Sequence, residues 1–239
     1  MLKQILSIGE AANYLNVSID TLRRWDKSGK LRAKKSPGGH RYYSKLDLDL
    51  YKQDIFALAV EWVLEKPQEP KNEFYCPTSI EFKTRLSKLQ SALGKIEALQ
   101  DYYPLIVAVA GEIGNNSYDH NLGNWPDIPG VFFGFDVNKK QIALADRGLG
   151  ILRTLRRVRP SIENDEEALH IAFTETLSGR APEARGNGLK FVREVITSNP
   201  LKLNFYSGSA NVIISENDKK IKCEKINVYY SGCLALFSF

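Results

Sequence analysis

The stretch that decides the fold of the N-terminal part reads SIGEAANYLNVSIDTLRRWDKSGKL over Ser7–Leu31, followed by SPGGHRYY over Ser36–Tyr43. The opening serine is followed three positions later by Glu10, a capping box that predicts the start of a helix. After a short turn, Ser18 can cap a second helix, which ends at Gly29. Two short helices joined by such a turn are typical of a helix-turn-helix.

Beyond the second helix, the pattern predicts a hairpin and then another helix. Residues 34–43 alternate around a glycine pair that suits a tight tip. Ser44 then begins a helix in which leucine recurs at every second position, Leu46, Leu48 and Leu50. Together with the two preceding helices, this arrangement predicts a small, mainly helical domain with a wing.

Positive charge is concentrated in the same region. Nine bases and two acids lie between Asp20 and Lys45, a net charge of +7, whereas the whole chain carries a formal +5. A short basic segment favours a nucleic-acid-binding module, and a solvated charged face is the alternative. The bases are Arg23, Arg24, Lys27, Lys30, Arg32, Lys34, Lys35, Arg41 and Lys45.

These residues resemble the winged helix-turn-helix of the MerR and excisionase group, and they are especially similar to the DNA-binding heads of some serine recombinases. The resemblance covers about residues 5–50 and implies that the second helix enters the major groove of double-stranded DNA. The wing would contact the backbone or the minor groove, and arginine can read guanine with two hydrogen bonds. Trp25 fits the core better than a base-stacking role. The positions matched to DNA contacts are Ser18, Thr21, Arg23, Arg24, His40, Arg41 and Tyr43.

Length and composition set the broad class of the protein. The 239 residues leave room for one or two domains, and 43% hydrophobic with 26% charged residues is an ordinary globular composition. We find no apolar run of membrane-spanning length and no secretory signal, so we expect a cytoplasmic protein without a membrane partner. Three distant cysteines predict neither a disulfide framework nor a zinc site.

A proline-rich, polar stretch over Glu65–Pro77 indicates a linker. We therefore expect a DNA-binding domain over residues 1–64, a linker over 65–83 and a second domain over 84–239. The second domain opens with an amphipathic helix, Thr84–Gln100, whose apolar stripe is either core or a dimer seam. Because MerR-like heads usually read paired half-sites, we expect a homodimer.

The next helix, beginning at Pro104, places polar residues on nearly one face. Glu112, Asn116 and His120 follow at steps of four residues. A carboxylate and an amide oxygen at the end of an apolar helix suit Mg²⁺, and hydrogen bonding into a neighbouring loop is the alternative.

Two glycine-containing loops follow. A predicted hairpin, Val131–Val137 with Gln141–Ala145, runs directly into the loop DRGLG over Asp146–Gly150. A second loop, RGNGL over Arg185–Leu189, opens a helix, where bare amides and the helix dipole favour phosphate. Several further strands are expected over Leu201–Phe239, with glycines at the turns.

The ordered set E-x-x-x-N, D-x-G-x-G and G-x-G-L resembles the GHKL ATPase family, over about residues 84–215. The resemblance implies a Bergerat-type α/β sandwich with a mixed, mostly antiparallel sheet that binds ATP. By matched position, Asn116 would hold Mg²⁺, Glu112 would assist as a metal ligand or activate water in catalysis, and Asp146 would bond the adenine amino group. The other matched positions lining the ATP site are Gly148, Gly150, Arg180, Gly186, Gly188, Leu189 and Ser209.

Together, the two resemblances predict a multi-domain transcriptional regulator that binds DNA and whose GHKL domain binds ATP with Mg²⁺, modulating its binding to DNA or to a protein partner. The alternative is an anti-sigma-like serine/threonine kinase, or a slow ATPase, targeted to DNA by its head. A degenerate domain without nucleotide is a third interpretation, which the intact Asn116 and Asp146 disfavour. No histidine has the phosphoacceptor pattern, so a self-phosphorylating histidine kinase is not expected.

Overall fold

The computed structural model describes residues 5–52, 54–64, 67–176 and 188–239, and of residues 46, 49 and 50 only the backbone. The chain divides into two compact units, Met1–Ala57 and Leu58–Phe239. The division falls inside a helix, Ile55–Leu64, so that this helix contributes residues to both units.

Helices α1 (Ile8–Leu15) and α2 (Ile19–Ser28) form the predicted helix-turn-helix in the N-terminal unit. The Ser7 amide donates to the Glu10 carboxylate at 2.7 Å, and the Glu10 amide donates back to the Ser7 hydroxyl at 3.4 Å, which completes the capping box. Gly29 ends α2 with a φ of 77°, a left-handed conformation that a residue without a Cβ adopts at little cost.

A three-stranded antiparallel sheet carries the wing. Its strands are β1 (Ile5–Ser7), β2 (Lys34–Lys35) and β3 (Arg41–Ser44), in the order β1-β3-β2. The β2–β3 hairpin confirms the prediction, whereas β1 is too short to show an alternating pattern in sequence. Helix α3 (Lys45–Lys52) follows, with the Asp47 amide donating to the Ser44 hydroxyl at 3.0 Å.

The core of the N-terminal unit lies between its helices and the sheet. Leu22 of α2 is fully buried there, and Trp25 packs against the cluster from its edge, as expected from sequence. The buried members are Ala11, Ala12, Leu22, Leu31, Tyr43 and Leu48.

Helix α4 (Ile55–Leu64) leads into the C-terminal unit, which is built on a five-stranded sheet. The strands are β4 (Tyr75–Cys76), β5 (Val131–Asp136), β6 (Gln141–Asp146), β7 (Lys202–Ser215) and β8 (Cys223–Ser238). Their order is β4-β5-β6-β8-β7, and each pairing among the described residues is antiparallel. The expected mostly antiparallel character is therefore confirmed, and the expected mixture with parallel pairs is corrected for the described strands. Short connections join β5 to β6 and β7 to β8, and such connections favour antiparallel pairing of those strands.

Helices pack against this sheet. They are α5 (Ser79–Leu93), α6 (Tyr103–Asn121), α7 (Gly150–Leu155), α8 (Asp165–Thr174) and α9 (Gly188–Thr197). Leu89, Leu93 and Leu99 of the apolar stripe are fully buried in the shared core, and Leu86 and Ile96 pack against it. The stripe is therefore core, and it no longer supports a dimer seam.

The first helix of the C-terminal unit differs from its predicted bounds. Helix α5 starts five residues earlier than expected, because the Thr78 side chain and Glu81 form a capping box at its N-terminus. It ends at Gly94, and the remainder of the predicted helix is a separate 3-10 turn, Glu97–Leu99. The later part of the predicted linker thus holds β4 and the first turn of α5.

The C-terminal strands are fewer and longer than expected. Gly208 and Gly232, predicted at turns, lie inside β7 and β8 with φ of 61° and 75°. The register of the pair shifts next to Gly208, so these positions mark an irregularity of the ladder, where positive φ favours glycine. Among the described residues, none of the helices is long and apolar enough to cross a lipid bilayer.

Candidate functional site

Helix α2 presents the predicted base-reading arginines on its exposed side. Arg23 Nη1 pairs with Asp20 at 2.9 Å, where both side chains are largely solvent-exposed. Arg24 Nη2 donates to the Thr21 hydroxyl at 3.4 Å. Exposed pairs of this kind stabilise a fold little, so both arginines can exchange these partners for bases or phosphates.

Ser18 is the N-cap of α2. Its hydroxyl accepts a hydrogen bond from the Thr21 amide at 3.1 Å and lies 2.9 Å from the Thr21 hydroxyl. Both residues therefore hold the N-terminus of the helix, in addition to the DNA contact expected of them. His40 lies exposed near the tip of the hairpin, where a wing can reach DNA.

The structure corrects the role expected of Tyr43. Its side chain is only 1% exposed and belongs to the core of the N-terminal unit, where its hydroxyl lies 3.5 Å from the Leu22 carbonyl. Burial raises the pKa of this phenol. Alternation along β3 turns Tyr43 inward, so its side chain supports the wing and does not contact DNA.

An acid that the sequence did not single out connects α2 with the wing. The Asp26 carboxylate accepts a hydrogen bond from Arg41 Nε at 2.6 Å and another from the Ala33 amide at 3.0 Å. These bonds hold the pKa of Asp26 below its ordinary value, the Arg41 bond having the larger effect. Arg41, expected as a direct DNA contact, is thus held in place through its Nε atom.

Trp25, on the same helix, contacts neighbours on two sides. The ring centroids of Trp25 and Tyr51 lie 4.9 Å apart, and Lys30 Nζ lies 4.5 Å from the Trp25 ring centroid. A cation over an aromatic face is a favourable contact, and it fixes one base of the charged segment beside α2.

In the C-terminal unit, the predicted adenine acceptor Asp146 ends β6 and is 2% exposed. One of its oxygens accepts from the Ser117 hydroxyl and the other from the Gly148 amide, both at 2.8 Å. Burial raises the pKa of Asp146 to about 6, although hydrogen bonds from Ser117, Gly148 and the Cys233 backbone act in the opposite direction. Asp146 is therefore a desolvated carboxylate held by neutral donors.

Packing within the fold also requires glycine at the two glycine positions after Asp146. A Cβ at Gly148 would overlap the side chain of Asn121, whose Oδ1 accepts from the Leu149 amide at 2.8 Å. Gly150 has a φ of 73°, and a Cβ there would lie 3.0 Å from the Ser207 hydroxyl. The bare backbone expected to approach a base is thus also required by the packing of this loop.

The predicted metal and phosphate positions do come together. A Cβ at Gly188, the first residue of α9, would lie 2.8 Å from Glu112 Oε2 and 3.1 Å from Asn116 Nδ2. The two side chains of α6 therefore converge on the backbone at the start of α9, and all three residues are half-buried. Leu189, the next residue, packs against the core of the unit.

Ser209, predicted to line the ATP site, has a partner within the fold. Its amide and its hydroxyl both donate to Asp165 Oδ2, at 2.9 and 2.8 Å, so that β7 binds the first residue of α8. Gly208 beside it leaves room for the same carboxylate. The Ser209 hydroxyl is thus hydrogen-bonded within the fold. Arg180 and Gly186 lie outside the described residues.

Arg147, between Asp146 and the first loop glycine, is 5% exposed and was not predicted as a site residue. Its Nη2 pairs with Asp127 at 2.8 Å. Its Nη1 donates to the carbonyls of Trp62 and Val63 in the last turn of α4, at 2.6 and 3.1 Å. The arginine thus ties the loop to α4, and sequence spacing alone gives no sign of contacts so distant along the chain.

The N-terminal features define a DNA-binding head of the winged helix-turn-helix class. More particularly, residues 7–43 match the model of the MerR family regulatory proteins and form a MerR-family domain. A stretch of 72 residues, 30% of the chain, is 39% identical to the type II methyltransferase M.Eco47II of Escherichia coli. The matched stretch spans 16% of that relative.

Proposed function

We propose that the C-terminal unit of this DNA-binding regulator binds ATP with Mg²⁺, and that nucleotide binding changes the affinity of the protein for DNA or for a partner protein. The MerR-family domain supplies the DNA-binding part of the function. The nucleotide part rests on the resemblance of the C-terminal motifs and on the positions of the matched residues in the fold.

The observation that carries the nucleotide proposal is the environment of Asp146. Burying a carboxylate without a cation costs stability, and such residues are concentrated at functional sites. A carboxylate has about four acceptor sites, and Ser117, Gly148 and the Cys233 backbone use three of them, so an adenine amino group can still donate to Asp146. Because Asp146 is 2% exposed, an adenine that binds it would be largely shielded from water at that end.

The residues around Gly188 suit the phosphate end of the ligand. Glu112 and Asn116 offer oxygens of the kind Mg²⁺ prefers, and the glycine removes the side chain that would occupy the space between them. The start of α9 adds amides and a positive dipole end. Bound Mg²⁺ would neutralise phosphate charge, with Asn116 and Glu112 as its protein ligands.

Calorimetric titration of the full chain tests this proposal. ATP with Mg²⁺ should bind, and GTP should bind at least about 100-fold more weakly. Guanine carries an oxygen at position six in place of the adenine amino group, and this oxygen and the buried Asp146 carboxylate both accept hydrogen bonds. Asp146→Asn should weaken ATP binding, whereas Asp136→Asn, a change of the same charge at the far end of β5, should not. Equal affinities for ATP and GTP would reject the assigned pocket.

Modulation needs its own measurement, since a ligand shifts an equilibrium only through different affinities for two states. DNA binding by the full chain should differ between nucleotide-free protein and protein saturated with ATP and Mg²⁺. If ATP binds but DNA affinity is the same in both, regulation by nucleotide is wrong and the binding site stands.

A second candidate function, protein serine/threonine kinase or slow ATPase, is favoured by one observation. Glu112 lies beside Asn116 at the predicted phosphate end, and a carboxylate there can accept a proton from water or from a hydroxyl group. Single-turnover assays with labelled ATP distinguish hydrolysis, transfer and binding alone. Glu112→Gln keeps an oxygen that can bind the metal but can no longer accept a proton, so it should abolish any turnover. Turnover equal to that of the wild type would contradict the catalytic role.

A further inference from the structure

Asp26 is an acid inside a strongly basic surface. It lies near the end of α2, within a segment that contains nine bases and only two acids, and its side chain is 11% exposed. Electrostatics alone makes any acid on this surface unfavourable for DNA binding, because it repels phosphate and lowers the attraction of the neighbouring bases. The bonds of Asp26 indicate an effect of opposite sign.

The Asp26 carboxylate binds two parts of the chain that follow α2. Through one oxygen it accepts from the Ala33 amide, next to the first wing strand, at 3.0 Å. Through the other it accepts from Arg41 Nε, on the second wing strand, at 2.6 Å. A single side chain of α2, the recognition helix that is expected to enter the major groove, thus binds both arms of the wing hairpin.

The bond to Arg41 also orients that side chain. A guanidinium is a rigid, planar fork of five donors, so a bond at Nε sets the direction of the remaining donors. The Arg41 side chain is 31% exposed, so it keeps a surface that DNA can reach. An oriented arginine loses less conformational freedom when it binds a phosphate than one that is free to rotate.

We infer that Asp26 is a positioning residue for DNA binding: it locks the wing onto the recognition helix and orients Arg41 toward the phosphate backbone. This inference rests on the DNA-binding function of the head. It predicts that removing a negative charge from a basic surface weakens DNA binding, the reverse of the electrostatic expectation.

The test uses the full chain and a fluorescent duplex of about 30 base pairs, roughly three helical turns, selected by the wild-type protein from random sequence. Asp26→Asn should lower the affinity about tenfold, the effect of losing one well-placed contact. The slope of log affinity against log salt should fall by about one, since a phosphate contact is lost.

The matched control is Asp20→Asn. Asp20 lies on the same helix, pairs with Arg23 and is 82% exposed, so the substitution changes the same charge without touching the wing. Its DNA affinity should equal or exceed that of the wild type, and its salt slope should not fall.

A second variant separates positioning from folding. In an Arg41→Ala background, Asp26→Asn removes an acid that no longer orients an arginine, so it should now raise DNA affinity. Circular dichroism gives the folded fraction of each variant, and affinities are corrected by it. If Asp26→Asn does not fold, Arg41→Lys is measured instead, because lysine keeps the charge but lacks the planar fork.

Three results would overturn the inference. They are an Asp26→Asn affinity equal to or above that of the wild type, an unchanged salt slope, or the same effect of Asp26→Asn with and without Arg41. An Arg41→Lys variant with the DNA affinity and the salt slope of the wild type would also overturn the inference. Failure of the wild-type protein to bind any selected duplex would contradict the DNA-binding function itself and is thus a distinguishable outcome.

Discussion

Replacing Asp146 with asparagine should stabilise the C-terminal unit while it weakens nucleotide binding. Burial raises the pKa of this carboxyl from its ordinary value of 3.8 to about 6, a difference of about two pH units. At about 1.4 kcal/mol per unit, the ionised form reduces the free energy of unfolding by up to about 3 kcal/mol at neutral pH. Asparagine carries no charge, so this cost is removed.

Two hydrogen bonds of the site can be kept in the variant. The asparagine carbonyl oxygen can accept from the Gly148 amide, as Asp146 Oδ1 does at 2.8 Å. Its amide nitrogen can donate to the Ser117 hydroxyl, which in turn can donate to the Ile113 carbonyl, 3.4 Å away. With the Gly148 and Ser117 bonds kept, the stabilisation should be at most about 3 kcal/mol, because the Cys233 backbone also donates to the native carboxylate.

The pH dependence gives the sign of the effect. A raised carboxyl pKa means that the native state binds the proton more tightly, so the cost is present above about pH 6 and disappears as the pH falls toward 4. The stability difference between variant and wild type should therefore be largest at about pH 7.5 and small near pH 4.

Urea unfolding of the full chain measures this difference, with hydrogen exchange of peptides that span β6 reporting on the C-terminal unit alone. Asp136→Asn is the control, because that carboxyl lies at the end of β5, is more exposed than Asp146 and accepts from backbone amides of its own hairpin. An asparagine variant at position 146 that is less stable at about pH 7.5, or equally different at both pH values, would refute the reasoning.

Further substitutions test the packing and the DNA surface. Tyr43→Ala should destabilise the N-terminal unit by about 3–5 kcal/mol in thermal unfolding, since it empties a core position, and a loss below about 1 kcal/mol would contradict its burial. Gly148→Ala should disrupt the C-terminal unit, because a methyl group would overlap Asn121, whereas Gly9→Ala meets open space and should be tolerated. If both alanine variants were protected from hydrogen exchange to the same degree, the expected difference between the two glycines would be contradicted. Arg24→Ala should cost about 1–3 kcal/mol of DNA affinity, and unchanged binding in fluorescence anisotropy would remove it from the interface.

Local signals explain how much of the head could be predicted. The capping serines and Gly29 act within a few residues, so the helix bounds follow from the sequence. The role of Tyr43 depends on which face of β3 meets the helices, and short strands give too little alternation to decide this. Asp26 was not predicted because its partners, Ala33 and Arg41, become neighbours only when the hairpin folds back.

The C-terminal unit shows the same division between local and distant information. Asp146 at the end of a strand was predicted as an acceptor, and the convergence of Glu112 and Asn116 on Gly188 agrees with the order of the motifs. The antiparallel neighbour of β6 is β8, far along the chain, so the contact of Asp146 with Cys233 could not be deduced. The nucleotide assignment itself stays a prediction.

The contacts of Arg147 determine where the protein can be cut. Its Nη1 depends on the carbonyls of Trp62 and Val63, so a C-terminal fragment that begins after residue 64, at the expected linker, would leave a buried cation short of two acceptors. Each lost bond to a charged group costs about 1.5–3 kcal/mol. A fragment that starts at Leu58 or earlier keeps both acceptors, and domain dissection, limited proteolysis and fusion design should all respect that boundary.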